Sequence, residues 1–214
     1  TDISTAEIYG KAIADIMQKD PKVVAITADL AKSTKLGDVL KVCPERVINV
    51  GIAEQDMFGV AAGMARAGCI PFLSGFSAFT SMRSCDQLHT DICYQNVNAK
   101  IIATHSGTSF GQAGSTHHAI VDLAITRAMP NLTVIVPADG YETANAVNAG
   151  LIDGTIAENR TVVTVTSGHS SHSADSIFQP LDRGQEMESI SACPMRAVEK
   201  ANKTRAERTF MPLL

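Results

Sequence analysis

"RVINVGIAEQDMFGVAAGMARAGCIPFLSGF", residues 46–76, reads as a strand, a helix and a second strand in direct succession. The β-branched run Val47–Val50 stops at Gly51. From residue 54 the period changes: Met57, Val60, Ala61 and Met64 recur at i, i+3, i+4 and i+7, which predicts a helix over 54–67. "IPFLS", from Ile70, is then the next strand. Apolar strands joined through a helix form a right-handed crossover and lie parallel. Inside this unit stands Glu54, an acid placed where the apolar strand hands over to the helix.

The same alternation continues on both sides. Toward the N-terminus, "KVVAITADL" is a strand with Asp29 at its carboxyl end, and 34–42 a short helix closed by Cys43-Pro44. Before it, Ser4-Thr5-Ala6-Glu7 is an N-cap pattern, Ile8, Ala12 and Ile16 share a helix face, and Pro21 ends that helix. Toward the C-terminus come a helix over 76–94, the strand "KIIATHSG", a helix over 118–128, a turn at Pro130-Asn131, the strand "LTVIVPAD", a helix over 140–151 and the strand "RTVVTVT". Continuously apolar strands alternating with helices predict a doubly wound, mostly parallel α/β sheet with helices on both faces. Residues 1–168 form that domain, and 169–214 a polar, then basic tail that reads as a wrapping arm or a loose terminus.

Composition narrows the function. With 45% hydrophobic residues and a net charge of −4, no basic stripe interleaved with aromatics points to nucleic acid or a membrane surface. No apolar stretch has the roughly 18–20 residues of a membrane span. The N-terminus begins with a capping Ser/Thr run rather than a charged segment and an apolar one, so no secretory signal is read there, and the missing initiator Met fits a trimmed start. Cys43, Cys69, Cys85, Cys93 and Cys193 show no CxxC pairing and are expected as thiols in a reducing cytoplasm.

In parallel sheets the carboxyl ends of the strands host the ligand. Asp29, Glu54, His105 and the loop 106–117 all follow strand ends. An acid shielded by apolar neighbours has its charged form disfavoured and can share a proton with a ring nitrogen; a first-turn acid facing the helix dipole has the same spacing. Phe76 and Phe79, three apart, share a helix face and can clamp a flat ring or simply pack in the core. "THSGTSFGQAGSTHH" holds His105, His117 and His118 among three glycines. It is neither a Walker A loop nor a GxGxxG loop, and adjacent histidines without a nearby cysteine make a poor zinc site, so no metal ligands are assigned. A Gly-rich loop bringing backbone and imidazoles up to a ligand fits better. His169 and His172, in the polar tail, receive no role.

"ITADLAKST", "NVGIAEQDM", "FLSGFSAFTSMRSCDQ", "IIATHSG…FGQAGSTHH" and "MPNLTVIVPADGYE" together resemble the pyrimidine-binding domain of transketolases over about residues 4–150. The likeness is strongest to the C-terminal subunit of split transketolases, and weaker to 1-deoxyxylulose-5-phosphate synthase and 2-oxo acid dehydrogenase β-subunits. The resemblance implies a thiamine diphosphate-binding fold of the pyrimidine type. It implies that Glu54 hydrogen-bonds the aminopyrimidine, favouring the imino form whose nitrogen takes the thiazolium C2 proton. It places Phe79 on the pyrimidine with Phe76 completing the slot, His117 near the 4′-amino group and reacting carbonyl, His105 on the substrate channel, and Asp29 and Ser33 on the thiazolium side.

In that family a second domain carries a GDG…N motif for Mg²⁺ and the diphosphate. Here Ile152 precedes Asp153-Gly154, and the motif is absent. The resemblance therefore implies half an active site, completed by a diphosphate-binding partner subunit in a homodimeric or heterotetrameric assembly. Three positions depart from the family pattern: Ala6 and Val165 stand where sugar-phosphate arginines are usual, and Ala113 where an acid meets a substrate hydroxyl. The expected function is ketol transfer between sugars. A deoxyxylulose-phosphate synthase-like or 2-oxo acid dehydrogenase-like subunit and a non-catalytic subunit remain the alternatives.

Overall fold

A computed structural model describes residues 5–152 and 161–166, with side chains described over 5–148. Among these, the chain builds a six-stranded sheet, every pair parallel, in the order β2-β1-β3-β4-β6-β5. In sequence the elements are α1 (Thr5–Lys19), β1 (Val23–Thr27), α2 (Gly37–Val42), β2 (Val47–Asn49), α3 (Glu54–Arg66), β3 (Ile70–Phe76), α4 (Cys85–Gln87), β4 (Lys100–Thr104), α5 (Asp122–Ala128), β5 (Leu132–Ile135), α6 (Gly140–Ile152) and β6 (Thr161–Thr166). The expected class holds. The tail 169–214, with Cys193, His169 and His172, lies outside the described residues.

Why the strands read as continuously apolar is visible in their packing. Successive residues face opposite layers, and both layers are dry. On one face Val23, Ala25, Phe72 and Ile102 pack with α1, Val39 of α2 and Val147 of α6. On the other, Ile26, Leu73 and Ile101 pack with Met57, Phe58 and Ala61 of α3 and with Leu88 and Ile92. The α3 stripe is rotated slightly from the expected one: Met57, Phe58, Ala61 and Ala62 are buried, while Val60 and Met64 sit at its margin. Aromatic bulk at Phe58 outweighs Val60 for the position nearest the sheet.

β1 is flanked by β2 on one side and β3 on the other, so the chain leaves β1 outward and returns across it through α3. This reversal opens a crevice at the carboxyl ends of β1 and β3. Two contacts hold α1 beneath it. Tyr9 and Ser74 of β3 share a buried hydroxyl–hydroxyl bond of 2.5 Å, with burial raising the Tyr9 pKa well above the ordinary phenol range. Arg46, also buried, caps the end of α1 by donating to the carbonyls of Met17, Asp20 and Val23.

Gly10 lets α1 approach the turn after β1: a Cβ there would sit 2.2 Å from the Lys35 carbonyl oxygen. Gly→Ala in an exposed helix usually gains about 1 kcal/mol. Here overpacking against backbone reverses the sign, and Gly10→Ala is expected to lose about 1–2 kcal/mol in urea unfolding. A gain in stability would show that the helix does not press on this turn.

The expected helix over 76–94 is broken. It contains two widened, π-type segments, Phe79–Arg83 and Leu88–Cys93, around α4. Hydroxyls supply the cause by competing for backbone carbonyls. Ser81 Oγ donates to Ser77 O at 2.6 Å, and Ser84 bonds the Phe79 carbonyl through both its amide and its Oγ, at 3.2 and 3.1 Å. Such widened turns occur often at functional sites.

Cys43, Cys85 and Cys93 are free thiols, whereas Cys69 is disulfide-bonded, so the expectation of thiols fails there. The missing CxxC spacing excluded only local pairs. Among the described residues no helix is long and apolar enough to cross a membrane.

Candidate active site

The carboxyl ends of β1, β2, β3 and β4 lie along one edge of the sheet, and the residues singled out in the sequence follow them. At the tips of β1 and β2, Asn49 acts as a staple. Its Oδ1 accepts from the amides of Asp29 and Gly51, each at 3.0 Å, and its Nδ2 donates to Asp29 Oδ1 at 3.1 Å. Asp29 takes the left-handed conformation (φ 61°), and so does Gly51 (φ 81°). The stapled turn delivers the chain into α3 with Glu54 as its first residue.

Glu54 is 3% exposed. Its Oε1 accepts from Arg83 Nη1 at 2.9 Å, and the Arg83 Cζ lies 3.7 Å from the centroid of the Phe79 ring. Sequence reasoning counted apolar neighbours only and missed this guanidinium. The i, i+4 spacing of Phe79 and Arg83 permits their contact, but no local pattern announces that Arg83 reaches Glu54, 29 residues away in sequence.

Phe76 and Phe79 do meet, though not on a helix face. Phe76 ends β3, Ser77 and Ala78 begin a helical turn at once, and Phe79 opens the first widened segment. The Ser77 Oγ donates to the buried Asp122 of α5 at 2.6 Å. The two rings are 5.7 Å apart and tilted by 40°, so they touch one another rather than leaving a slot between them. Around them gather His105, 4.7 Å from Phe76, and His117, 5.2 Å from Phe79. Phe110 completes the group, stacked on His117 at 5.5 Å and 5.0 Å from Phe76. Phe110 was also missed: it lies between two glycines of the loop, where periodicity carries no signal.

The loop 106–117 folds over these rings in tight turns at Gly111–Ala113 and Ser115–His117, tied by a bridge between Gly107 and Ala119. Thr116 Oγ1 and His117 Nδ1 are 2.9 Å apart. Asp29 and Ser33 occupy the exposed loop after β1, on the same edge but outside the ring cluster. That loop still borders the site through Lys35.

His105, in the left-handed region (φ 58°), is held below the ordinary histidine range, first by burial and then by the positive charge of Lys35. The ring is therefore neutral at pH 7. Because the unfolded chain takes up that proton more readily, acidification below about pH 6.5 costs stability. The NMR titration midpoint of the His105 ring is expected to rise in Lys35→Gln without reaching the unperturbed value, since burial persists. An unmoved midpoint would mean that the Lys35 charge does not reach the ring.

A buried carboxylate with one oxygen held and an aromatic wall beside it suits a flat, nitrogen-bearing ring: one polar contact at its edge, apolar contact on its face. Comparison with known proteins agrees. The model of the transketolase pyrimidine binding domain matches residues 1–166. The chain belongs to that family. A Methanocaldococcus jannaschii protein named as a transketolase C-terminal section is 41% identical over 157 residues, covering 73% of this chain and 48% of that protein. The 1-deoxy-D-xylulose-5-phosphate synthase of Alkaliphilus oremlandii is 35% identical over 185 residues, covering 86% of this chain and 28% of the synthase. Among solved structures, a split-gene transketolase in an inactive β4 tetramer superposes with a TM-score of 0.68 at 40% identity, covering 84% of this chain and 57% of that one. The chain thus spans about half the length of the first of these relatives.

Transketolases are thiamine diphosphate-dependent, and the ring half of that cofactor fits the Glu54–Phe79 corner. Among the described residues no group of three His, Cys, Asp or Glu side chains could hold its metal.

Proposed function

We propose that this chain is the pyrimidine-binding half of a thiamine diphosphate-dependent transketolase, moving a glycolaldehyde unit between sugars. One observation carries the reading: Glu54 is buried at the first turn of α3, against Phe79, with one carboxylate oxygen held by Arg83. When bound, the thiazolium ring of the cofactor supplies the carbon nucleophile and the electron sink. The chain's own residues prepare it. Glu54 shares a proton with a ring nitrogen at its second oxygen, while Phe79 and Phe76 cover the ring face and exclude water. His117, oriented by Thr116, stands on the rim where a substrate carbonyl would enter. His105, neutral at pH 7, offers a nitrogen to substrate hydroxyls. Asp29 and Ser33 border the entrance.

A diphosphate-binding partner subunit holds Mg²⁺ and the diphosphate in this reading. The split-gene relative supports that dependence, because its β-only tetramer is inactive. Ala6 and Ala113 are half-buried and uncharged, so the substrate's terminal group must be gripped elsewhere.

The deoxyxylulose-phosphate synthase match, which reaches further along the chain than the archaeal one, supports a second reading in which a 2-oxo acid is the donor. The assembled complex should be offered a phosphorylated ketose, an unphosphorylated ketose or pyruvate, each with an aldose acceptor. Ketose consumption without CO₂ supports ketol transfer, and CO₂ release from pyruvate supports the second reading. Turnover of neither donor, with cofactor and partner present, would leave a non-catalytic subunit.

A further inference from the structure

Arg83 touches both groups that the cofactor reading sets against the aminopyrimidine. Its Nη1 takes one oxygen of Glu54 at 2.9 Å, and its Cζ lies 3.7 Å from the Phe79 centroid. The Arg83 side chain is 45% exposed and that of Glu54 only 4%, so the pair runs from the mouth of the site inward. Phe79 and Arg83 are the first and last residues of a widened turn whose first carbonyl, that of Phe79, is fixed twice by Ser84.

A carboxylate with one oxygen bound to a planar fork no longer turns freely about its last torsion, so its other oxygen points in a set direction. A guanidinium packed against a phenyl ring restricts that ring as well. We propose that Arg83 is a positioning residue. It locks the carboxylate plane of Glu54 to the ring plane of Phe79, so that the second oxygen is held in a fixed direction beside the aromatic wall, a preformed seat for the edge of one flat heterocycle. This rests on the cofactor reading above. The contact also pairs a carboxylate that is only 4% exposed, so removing Arg83 costs charge compensation as well as geometry. Lysine could supply the charge but neither the fork nor the flat stacked surface.

The test uses the full chain assembled with its diphosphate-binding partner. Two quantities are read: the rate of deuterium exchange at the thiazolium C2 of bound thiamine diphosphate, by NMR, and the affinity for the aminopyrimidine fragment alone, by calorimetry. Arg83→Met, which keeps an apolar stem over Phe79, should slow exchange about 10–100-fold, as small misplacements of reacting groups do. It should also weaken fragment binding several-fold. Arg83→Lys should recover part of the exchange rate. In a Glu54→Gln background, Arg83→Met should add less than about twofold, because Arg83 acts through Glu54. Exchange within twofold of the parent in Arg83→Met, or an equal loss in both backgrounds, would overturn the proposal. If Glu54→Gln itself leaves exchange unchanged, the cofactor reading fails, and the role of Arg83 fails with it.

Discussion

Glu54→Gln is expected to lower kcat of the assembled enzyme by about 10²–10³-fold while cofactor affinity changes by less than about tenfold. The asymmetry follows from Arg83. Its Nη1 holds one oxygen of Glu54, and in the variant it would hold the amide oxygen, because a guanidinium has only donors. The group left facing the ring nitrogen is then NH₂, which donates. A neutral ring nitrogen still accepts that bond, so the cofactor still binds. What is lost is the exchange of a proton, since an amide neither takes nor returns one at neutral pH. The fold should survive, as Gln matches Glu in shape and the arginine partner is half exposed. Glu54→Ala should be as inactive and less stable, because it also opens a void in a site that is 3% exposed. Steady-state kinetics with matched thermal unfolding decides the matter. Activity of the Gln variant within threefold of the parent would separate Glu54 from the chemistry.

The sheet was largely legible from sequence because its signal is cooperative: each apolar run of four to seven residues, set between helices, restricts the next. The site was legible only in part. Glu54, Phe76, Phe79, His105 and His117 follow strand ends, and a parallel sheet brings strand ends together whatever the details. Their mutual geometry was not legible. A regular helix would have put Phe76 and Phe79 on one face; instead β3 runs on to Phe76 and the helical turn starts at Ser77, so the rings meet across the strand–helix junction, and serine hydroxyls capture carbonyls in the widened turns that follow. Arg83 meets Glu54 across 29 residues of sequence. Asn49 reads as one polar residue in a short strand, yet it fixes two loop amides. Contacts of this kind join elements distant in sequence, and no local pattern encodes them.

The isolated chain is expected to bind thiamine diphosphate only weakly, with a Kd in the millimolar range against micromolar for the assembled complex. The ring corner offers one hydrogen-bonding oxygen and part of an aromatic wall. At roughly 0.3–0.5 kcal/mol per heavy atom for such partial contact, the eight or nine atoms of an aminopyrimidine give about 3–4 kcal/mol, which corresponds to millimolar binding. The diphosphate adds charge that, among the described residues, is answered only by scattered side chains on the rim. Arg83 is already committed to Glu54, and Lys35 to Glu7 at 3.3 Å. A partner that holds the diphosphate with Mg²⁺ converts ring binding into an intramolecular event, raising its effective concentration and the overall affinity by two to three orders of magnitude. Calorimetry of the chain alone, then of the complex, with and without Mg²⁺, measures each step. Micromolar binding by the chain alone would mean that it carries its own diphosphate anchor, and the half-site reading would have to be abandoned.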